Sequence, residues 1–160
     1  MMKFRVGLGY DVHKLVEGED FWLGGIKVDH TKGAIGHSDA DVLLHSICDA
    51  LLGAANLRDI GFHFPDTSAD YKGIDSKILL ADVVKLVMDK GYHISNVDCT
   101  IALQQPKISP YIEDMKLTIS KIMKLDIEDV SVKATTTERL GFEGREEGVS
   151  AQVVTLLYKN

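Results

Sequence analysis

The sequence predicts an α/β sandwich of the α+β kind, a single domain over residues 1–160 in which a mixed β-sheet carries helices on one face. Three observations lead there. Val97, Cys99, Ile101 and Leu103 alternate with polar neighbours, the pattern of a strand with one buried face. Leu43, Leu44, Ile47, Ala50, Leu51 and Ala54 recur at helical spacing, as do Leu79, Leu80, Val83 and Val87. No repeat, low-complexity segment or linker divides the chain, and 160 residues suffice to bury one core.

Taken in order, Lys3 to Tyr10 reads as a strand, and Phe21 to Val28 as short strands around the turn Gly24-Gly25. Residues 40–55 form a first helix, with Ser38 or Asp39 as candidate cap. Residues 56–75 are turn-rich, with Gly61, Pro65, Asp66, Thr67 and Gly73. A second helix spans 76–90 and stops at Gly91. A strand over 94–104 follows. Ser109 as cap and Pro110 in the first turn open a third helix that runs to about Lys124. Strands over 130–134 and 149–158 complete the sheet.

Hydrophobic residues make up 45% and charged residues 26%, the balance of an ordinary globular protein. A net charge of −6 argues against nucleic acid as a partner, since such proteins present a basic face. No apolar run reaches the length of a membrane span, and the first residues lead directly into a strand pattern, so neither a membrane association nor a signal or transit peptide is expected. Cys48 and Cys99 lie in apolar surroundings and read as buried thiols of a cytoplasmic protein.

Val6-Gly7-Leu8-Gly9-Tyr10-Asp11-Val12-His13 ends an apolar strand on an acid and a histidine two apart, hence on one face. On the first helix Asp41, His45 and Asp49 are spaced by four and form a polar stripe opposite the apolar set. Such a stripe is usually a solvated face. Combined with Asp11 and His13, however, His45 completes one carboxylate and two imidazoles, a zinc set that leaves a fourth position open.

Three other segments carry candidate chemistry. Asp59 to Thr67 puts acids, a histidine and aromatics in a loop, which turn formation alone would also explain. Gln104-Gln105-Pro106-Lys107-Ile108-Ser109 joins a strand to a helix start, a place for an anion or simply for ordinary capping. Lys133-Ala134-Thr135-Thr136-Thr137-Glu138 offers hydroxyls to phosphate and a carboxylate to Mg²⁺ or Mn²⁺, or is a threonine-rich edge strand.

Together these motifs resemble the 2-C-methyl-D-erythritol 2,4-cyclodiphosphate synthase family. The matching patterns are GxGxDxH at 7–13, HSDxD at 37–41 followed by His45, DIGxxFPDT at 59–67, QxPK at 104–107 and KATTTExLGFxGRxEG at 133–148. They cover nearly the full length. The resemblance implies a phosphorus–oxygen lyase of the non-mevalonate isoprenoid pathway. Its substrate would be 4-diphosphocytidyl-2-C-methyl-D-erythritol 2-phosphate, whose 2-phosphate attacks the β-phosphorus to close a cyclic diphosphate and release CMP. No nucleophilic serine or cysteine is needed.

Carried over residue by residue, the resemblance makes Asp11, His13 and His45 the zinc ligands and Glu138 the holder of Mg²⁺ or Mn²⁺. Thr136 would contact the diphosphate, and His37 and Ser38 the substrate near its 2-phosphate. Asp59, Gly61 and Asp66, with Phe64 in the same loop, would face the methylerythritol unit. Leu103, Pro106, Lys107, Ile108, Ser109, Ala134 and Thr135 would line the cytidine pocket. Asp49 would support the site by orienting a zinc histidine.

The resemblance further implies a homotrimer with active sites between adjacent subunits. Phe142 and Arg145 match positions near a cavity on the threefold axis that suits an isoprenoid diphosphate; alternatively, Arg145 pairs with an acid such as Glu143 or Glu146. The chain departs from the family pattern at Arg58, where glycine is common, and at His63, Leu103, Gln105, Ile108 and Ser109. Two competing readings are a zinc phosphoesterase that uses bound water, and a trimeric binding protein without turnover.

Overall fold

The computed structural model describes residues 2–65 and 73–159. Asp66 and Thr67, read as part of a substrate loop, lie outside the described residues. Four strands open the chain: β1 (Lys3–Glu17), β2 (Phe21–Leu23), β3 (Ile26–Val28) and β4 (Lys32–Ile35). Helix α1 (Val42–Ala54), the short α2 (Ile60–His63) and α3 (Ser76–Asp89) follow, then β5 (His93–Ala102) and α4 (Ile112–Met123), which a 3₁₀ turn over Ser109–Tyr111 introduces. Strand β6 (Val130–Thr135), the short α5 (Gly141–Gly144) and β7 (Gly148–Lys159) complete the chain.

One five-stranded mixed sheet runs in the order β4-β1-β7-β5-β6, with β5 and β6 the parallel pair, and β2 and β3 form a separate hairpin. The helices cover one face of the large sheet. Leu43, Ile47, Leu51, Leu80, Ile101, Ile119 and Leu157 are fully buried between helices and sheet. The expected α+β architecture is therefore present.

The GxG of the N-terminal motif has a steric cause. A Cβ on Gly7 would sit 1.9 Å from the carbonyl oxygen of Ala50, and one on Gly9 1.8 Å from that of Ser46. With hydrogen in place of Cβ, α1 lies directly on β1. That contact brings His45 over the end of the same strand that carries Asp11 and His13.

Several expected boundaries move. β1 continues past Tyr10 to Glu17, because β7 pairs with it as far as Lys14 and β4 takes over from Lys14 to Glu17. β4 was not expected; Lys-Gly-Ala-Ile is too short to show alternation. Asp41, rather than Ser38 or Asp39, caps α1, accepting the N–H groups of Leu43 and Leu44. Ser109 makes no side-chain cap; it opens the 3₁₀ turn, and Pro110 sits in the first turn as expected. Cys48 and Cys99 are buried and unpaired, and burial pushes both thiols up.

Candidate metal centre and nucleotide cavity

On β1 the odd-numbered side chains face α1, so Asp11 and His13 emerge side by side just beyond the glycine contact. His45, one turn into α1, meets them. Asp11 Oδ2 lies 3.0 Å from His13 Nε2 and 3.1 Å from His45 Nδ1, and the two ring nitrogens are 3.1 Å apart. Among the described residues this is the one group of three such ligands close enough to share an ion. Three ligand atoms around a tetrahedral ion at about 2.05 Å stand roughly 3.3 Å from one another. The observed triangle is within a few tenths of that, so the donor set fits zinc in size and in chemistry. The side chains are 26%, 16% and 13% exposed for Asp11, His13 and His45, which leaves a fourth side open to a ligand.

The charges support the same reading. Burial works to raise the Asp11 carboxyl, but hydrogen bonds and attraction from His13 and His45 outweigh it and hold the group well below the usual carboxylate range. Burial works to lower His45, yet Asp11 more than compensates and raises it. Each group is thus held in its charged form by the other, and an ion bound here would take the place of the His45 proton in balancing Asp11.

The polar stripe of α1 is not a solvated face. Asp41 is fully buried, and its carboxylate accepts the N–H groups of Gly24 (3.0 Å) and Gly25 (2.7 Å) as well as its two capping bonds. It ties the β2–β3 turn to the helix start, and burial raises it. Asp49 Oδ1 accepts the backbone N–H of Ile60 at 2.8 Å. Where a bond to a zinc histidine was expected, the bond it makes here fixes α2.

Beside the triad a cavity of about 350 Å³ is lined by His13, His37, Ser38, His45, Ile60, Gly61, Phe64, Ile74 and Leu79. His37, Ser38, Gly61 and Phe64 thus gather beside the triad, while Asp59 is exposed at the start of α2. Arg58, in the glycine-like position, adopts φ +69°, the left-handed region, and its guanidinium lies 4.2 Å from the Phe62 ring centre. The departure from glycine is therefore carried in the backbone conformation that glycine favours. His63 donates to or accepts nothing from the triad; its Nε2 donates to the Leu57 carbonyl at 2.8 Å.

A second cavity, about 170 Å³, is lined by Leu103, Gln104, Pro106, Lys107, Ile108, Ser109, Ala134, Thr135 and Thr136. Every residue expected around the cytidine is present in it. Glu138 lies next to Thr136, whose hydroxyl donates to it at 3.3 Å, and both Glu138 (φ +54°) and Arg139 (φ +65°) are left-handed. The chain does not bring Glu138 to the triad. Asp11 pairs with Ala151, Ala151 with Ile101 and Ile101 with Ala134, so the two regions sit in one row across the sheet. Three inter-strand steps put them about 14 Å apart.

Arg145 pairs with neither Glu143 nor Glu146. It makes a two-bond fork to Glu147, both at 3.1 Å, while Glu143 accepts the Ser150 hydroxyl at 2.8 Å. Two site residues escaped the sequence reading. Ser76 Oγ is 2.9 Å from His45 Nε2, and Asp39 accepts both the Ser76 hydroxyl and its backbone N–H. The separation of 37 positions from Asp39 to Ser76 hides this from any local pattern.

Fold and site define a class: a single-domain α+β protein with an open aspartate–histidine–histidine cluster, able to hold a metal ion, between its sheet and first helix. The chain belongs to the YgbB family, which it matches over residues 4–158. A relative from Parabacteroides distasonis named 2-C-methyl-D-erythritol 2,4-cyclodiphosphate synthase is 60% identical over 158 residues, 99% of this chain and 98% of its own. Among solved structures, the bifunctional IspDF from Campylobacter jejuni is similar at TM-score 0.96 and 38% identity over 100% of this chain, which spans 43% of that longer one. A Plasmodium falciparum protein solved as a CDP complex is similar at TM-score 0.86 and 36% identity, covering 98% of this chain and 97% of its own.

Proposed function

We propose that this chain converts 4-diphosphocytidyl-2-C-methyl-D-erythritol 2-phosphate into 2-C-methyl-D-erythritol 2,4-cyclodiphosphate and CMP. The observation that carries this reading is the triangle of Asp11 Oδ2, His13 Nε2 and His45 Nδ1, its open side beside a cavity sized for a small phosphorylated ligand. The synthase name of the relatives and the CDP complex of the Plasmodium falciparum protein support it.

In the reaction an oxygen of the 2-phosphate forms a bond to the β-phosphorus. The bond from that phosphorus to the bridging oxygen breaks, and its electron pair leaves with CMP. Nucleophile and electrophile belong to one molecule, so holding them in line supplies much of the acceleration. Asp11, His13 and His45 would hold zinc, which when bound supplies Lewis-acid stabilisation of phosphate charge. His37 and Ser38 orient the 2-phosphate from the wall of the larger cavity, and Gly61 and Phe64 shape the space for the methylerythritol unit. Asp59 and Asp66 bind its hydroxyls. Thr136 and Glu138 meet the diphosphate, with Glu138 as ligand for Mg²⁺ or Mn²⁺. Leu103, Pro106, Lys107, Ile108, Ser109, Ala134 and Thr135 hold the cytidine.

A homotrimer with active sites between adjacent subunits completes the proposal. Two facts favour it. The two cavities lie three inter-strand steps apart within one chain. The uncovered face of β1 exposes Phe4 (60%), Val6 (69%) and Leu8 (67%), too apolar a row to be left in water.

The test is to incubate the protein with the cytidine diphosphate substrate, zinc and Mg²⁺ and follow products by phosphorus NMR. Equal appearance of CMP and a cyclic diphosphate is expected. CMP with an open-chain bisphosphate would replace the cyclase with a hydrolase. Unchanged substrate, from a folded and metal-loaded protein, would leave a binding protein.

A further inference from the structure

We propose that Asp39 and Ser76 act as a positioning pair that keeps an N–H on Nε2 of His45, so that Nδ1 is the nitrogen left to ligate an ion shared with Asp11 and His13. This rests on the reading of the triad as a zinc site and adds two residues to it.

The argument is a count of protons. Ser76 is fully buried at the first turn of α3. Its backbone N–H donates to Asp39 Oδ2 at 3.0 Å, and its hydroxyl donates to Asp39 Oδ1 at 2.5 Å. A carboxylate only accepts, and a serine hydroxyl has one hydrogen to give. With that hydrogen on Asp39, the Ser76 oxygen presents a lone pair to His45 Nε2, 2.9 Å away. Towards Ser76, His45 Nε2 is therefore the donor, and Ser38 Oγ, 3.4 Å from Ser76 Oγ, satisfies the same count by giving its own hydrogen to that oxygen. A neutral imidazole has one N–H, so Nδ1 is left as the acceptor and metal ligand.

Asp39 is itself held from two sides. Its N–H donates to the Ile74 carbonyl at 3.1 Å, and its Oδ1 accepts the N–H of Asp41 at 3.2 Å. Ser38 Oγ also lies 3.0 Å from His45 Nε2, but it is only part-buried and no carboxylate receives its proton. Ser38 can turn to a substrate while Ser76 keeps the histidine in place.

A simpler role, a clamp between the 37–41 loop and α3, predicts different behaviour. Asp39→Asn is nearly isosteric and separates the two. The Ser76 N–H is fixed by the helix and claims the one amide oxygen. The amide NH₂ then faces the Ser76 oxygen, whose hydrogen turns towards His45 Nε2. The polarity of the bonds from Asp39 through Ser76 to His45 reverses while both links between Asp39 and Ser76 remain; the one bond lost is that from the Asp41 N–H, which the NH₂ now faces.

The experiment measures zinc affinity of the intact protein by competition with a chromophoric chelator, alongside CDP binding and thermal unfolding of the metal-free protein. The unaltered chain should take up one zinc that Asp11→Ala abolishes. Asp39→Asn and Ser76→Ala should weaken zinc roughly 10–100-fold, with CDP affinity unchanged and metal-free melting lowered only slightly; Ser38→Ala should keep zinc affinity. Zinc binding in both variants within twofold of the unaltered protein overturns the proposal and leaves the zinc site standing. Parallel loss of CDP binding and melting temperature in both also overturns it, in favour of the clamp. No zinc uptake by the unaltered chain overturns the zinc site and this inference together.

Discussion

The space where Gly9 would carry a Cβ is filled by the carbonyl oxygen of Ser46, 1.8 Å away. Backbone on backbone cannot yield as two side chains can, so this contact sets the height of α1 above β1 and with it the reach of His45. Gly9→Ala should push the helix away. Overpacking costs about 1–3 kcal/mol, a loss of several degrees in melting temperature. Metal affinity should fall with it, because His45 and Asp11 separate. Unchanged melting and metal content would mean the helix can shift without cost.

Asp11→Ala and His13→Ala should each remove the metal and the synthase turnover while the circular dichroism spectrum stays that of the unaltered protein. Both side chains are partly exposed and lie at the rim of the core, so their loss leaves no large cavity. Metal analysis after dialysis checks the first part. A variant with full metal and full turnover would remove the triad from the mechanism.

The metal-free protein should show a stability bell centred on the triad. Asp11 has its folded value below the ordinary 3.8, so its contribution is present above 3.8 and fades as pH falls through the depressed value. His45 has its folded value above the ordinary 6.5, so its contribution is full below 6.5 and fades as pH rises through the raised value. His45→Gln should therefore cost more stability at about pH 5.5 than at about pH 9. Zinc binding should do the opposite and strengthen as pH rises, since the ion displaces a proton from His45. Chemical denaturation across pH, with and without zinc, reads both trends.

Leu8→Asp should prevent the proposed homotrimer from forming without emptying the metal site. Leu8 points away from α1, on the uncovered face of the sheet, opposite Val154 on β7. Sedimentation velocity should show a smaller species that keeps zinc and loses turnover. A variant that sediments like the unaltered protein would direct the search for the interface elsewhere.

Local pattern revealed much of this molecule. The period of Leu43, Leu44, Ile47 and Leu51 marked α1, and the two-residue spacing of Asp11 and His13 marked one strand face, because both signals are contained in a few consecutive residues. What pattern missed depends on partners far along the chain. Strand β1 runs on to Glu17 only because β4 and β7 pair with it. From the i, i+4 stripe of Asp41, His45 and Asp49 the pattern drew His45 into the metal set, but it could not show that Asp41 holds a hairpin or that Asp49 holds α2. Ser76 looked like an ordinary helix start, and nothing near it in sequence discloses Asp39 or His45.

The alternation of β1 has one more consequence. Gly7, Gly9, Asp11 and His13 write the helix contact and the metal chemistry, while Phe4, Val6, Leu8, Tyr10 and Val12, read between them, write the uncovered apolar face. Two messages share one stretch of backbone, in alternate letters. Either can drift by substitution without disturbing the other. Neither tolerates a shift of the reading frame: one residue inserted after Gly9 would carry Asp11 and His13 to the apolar side and turn Tyr10 and Val12 towards the helix. Across descendants of this chain, the segment should vary in its even positions and hold its length.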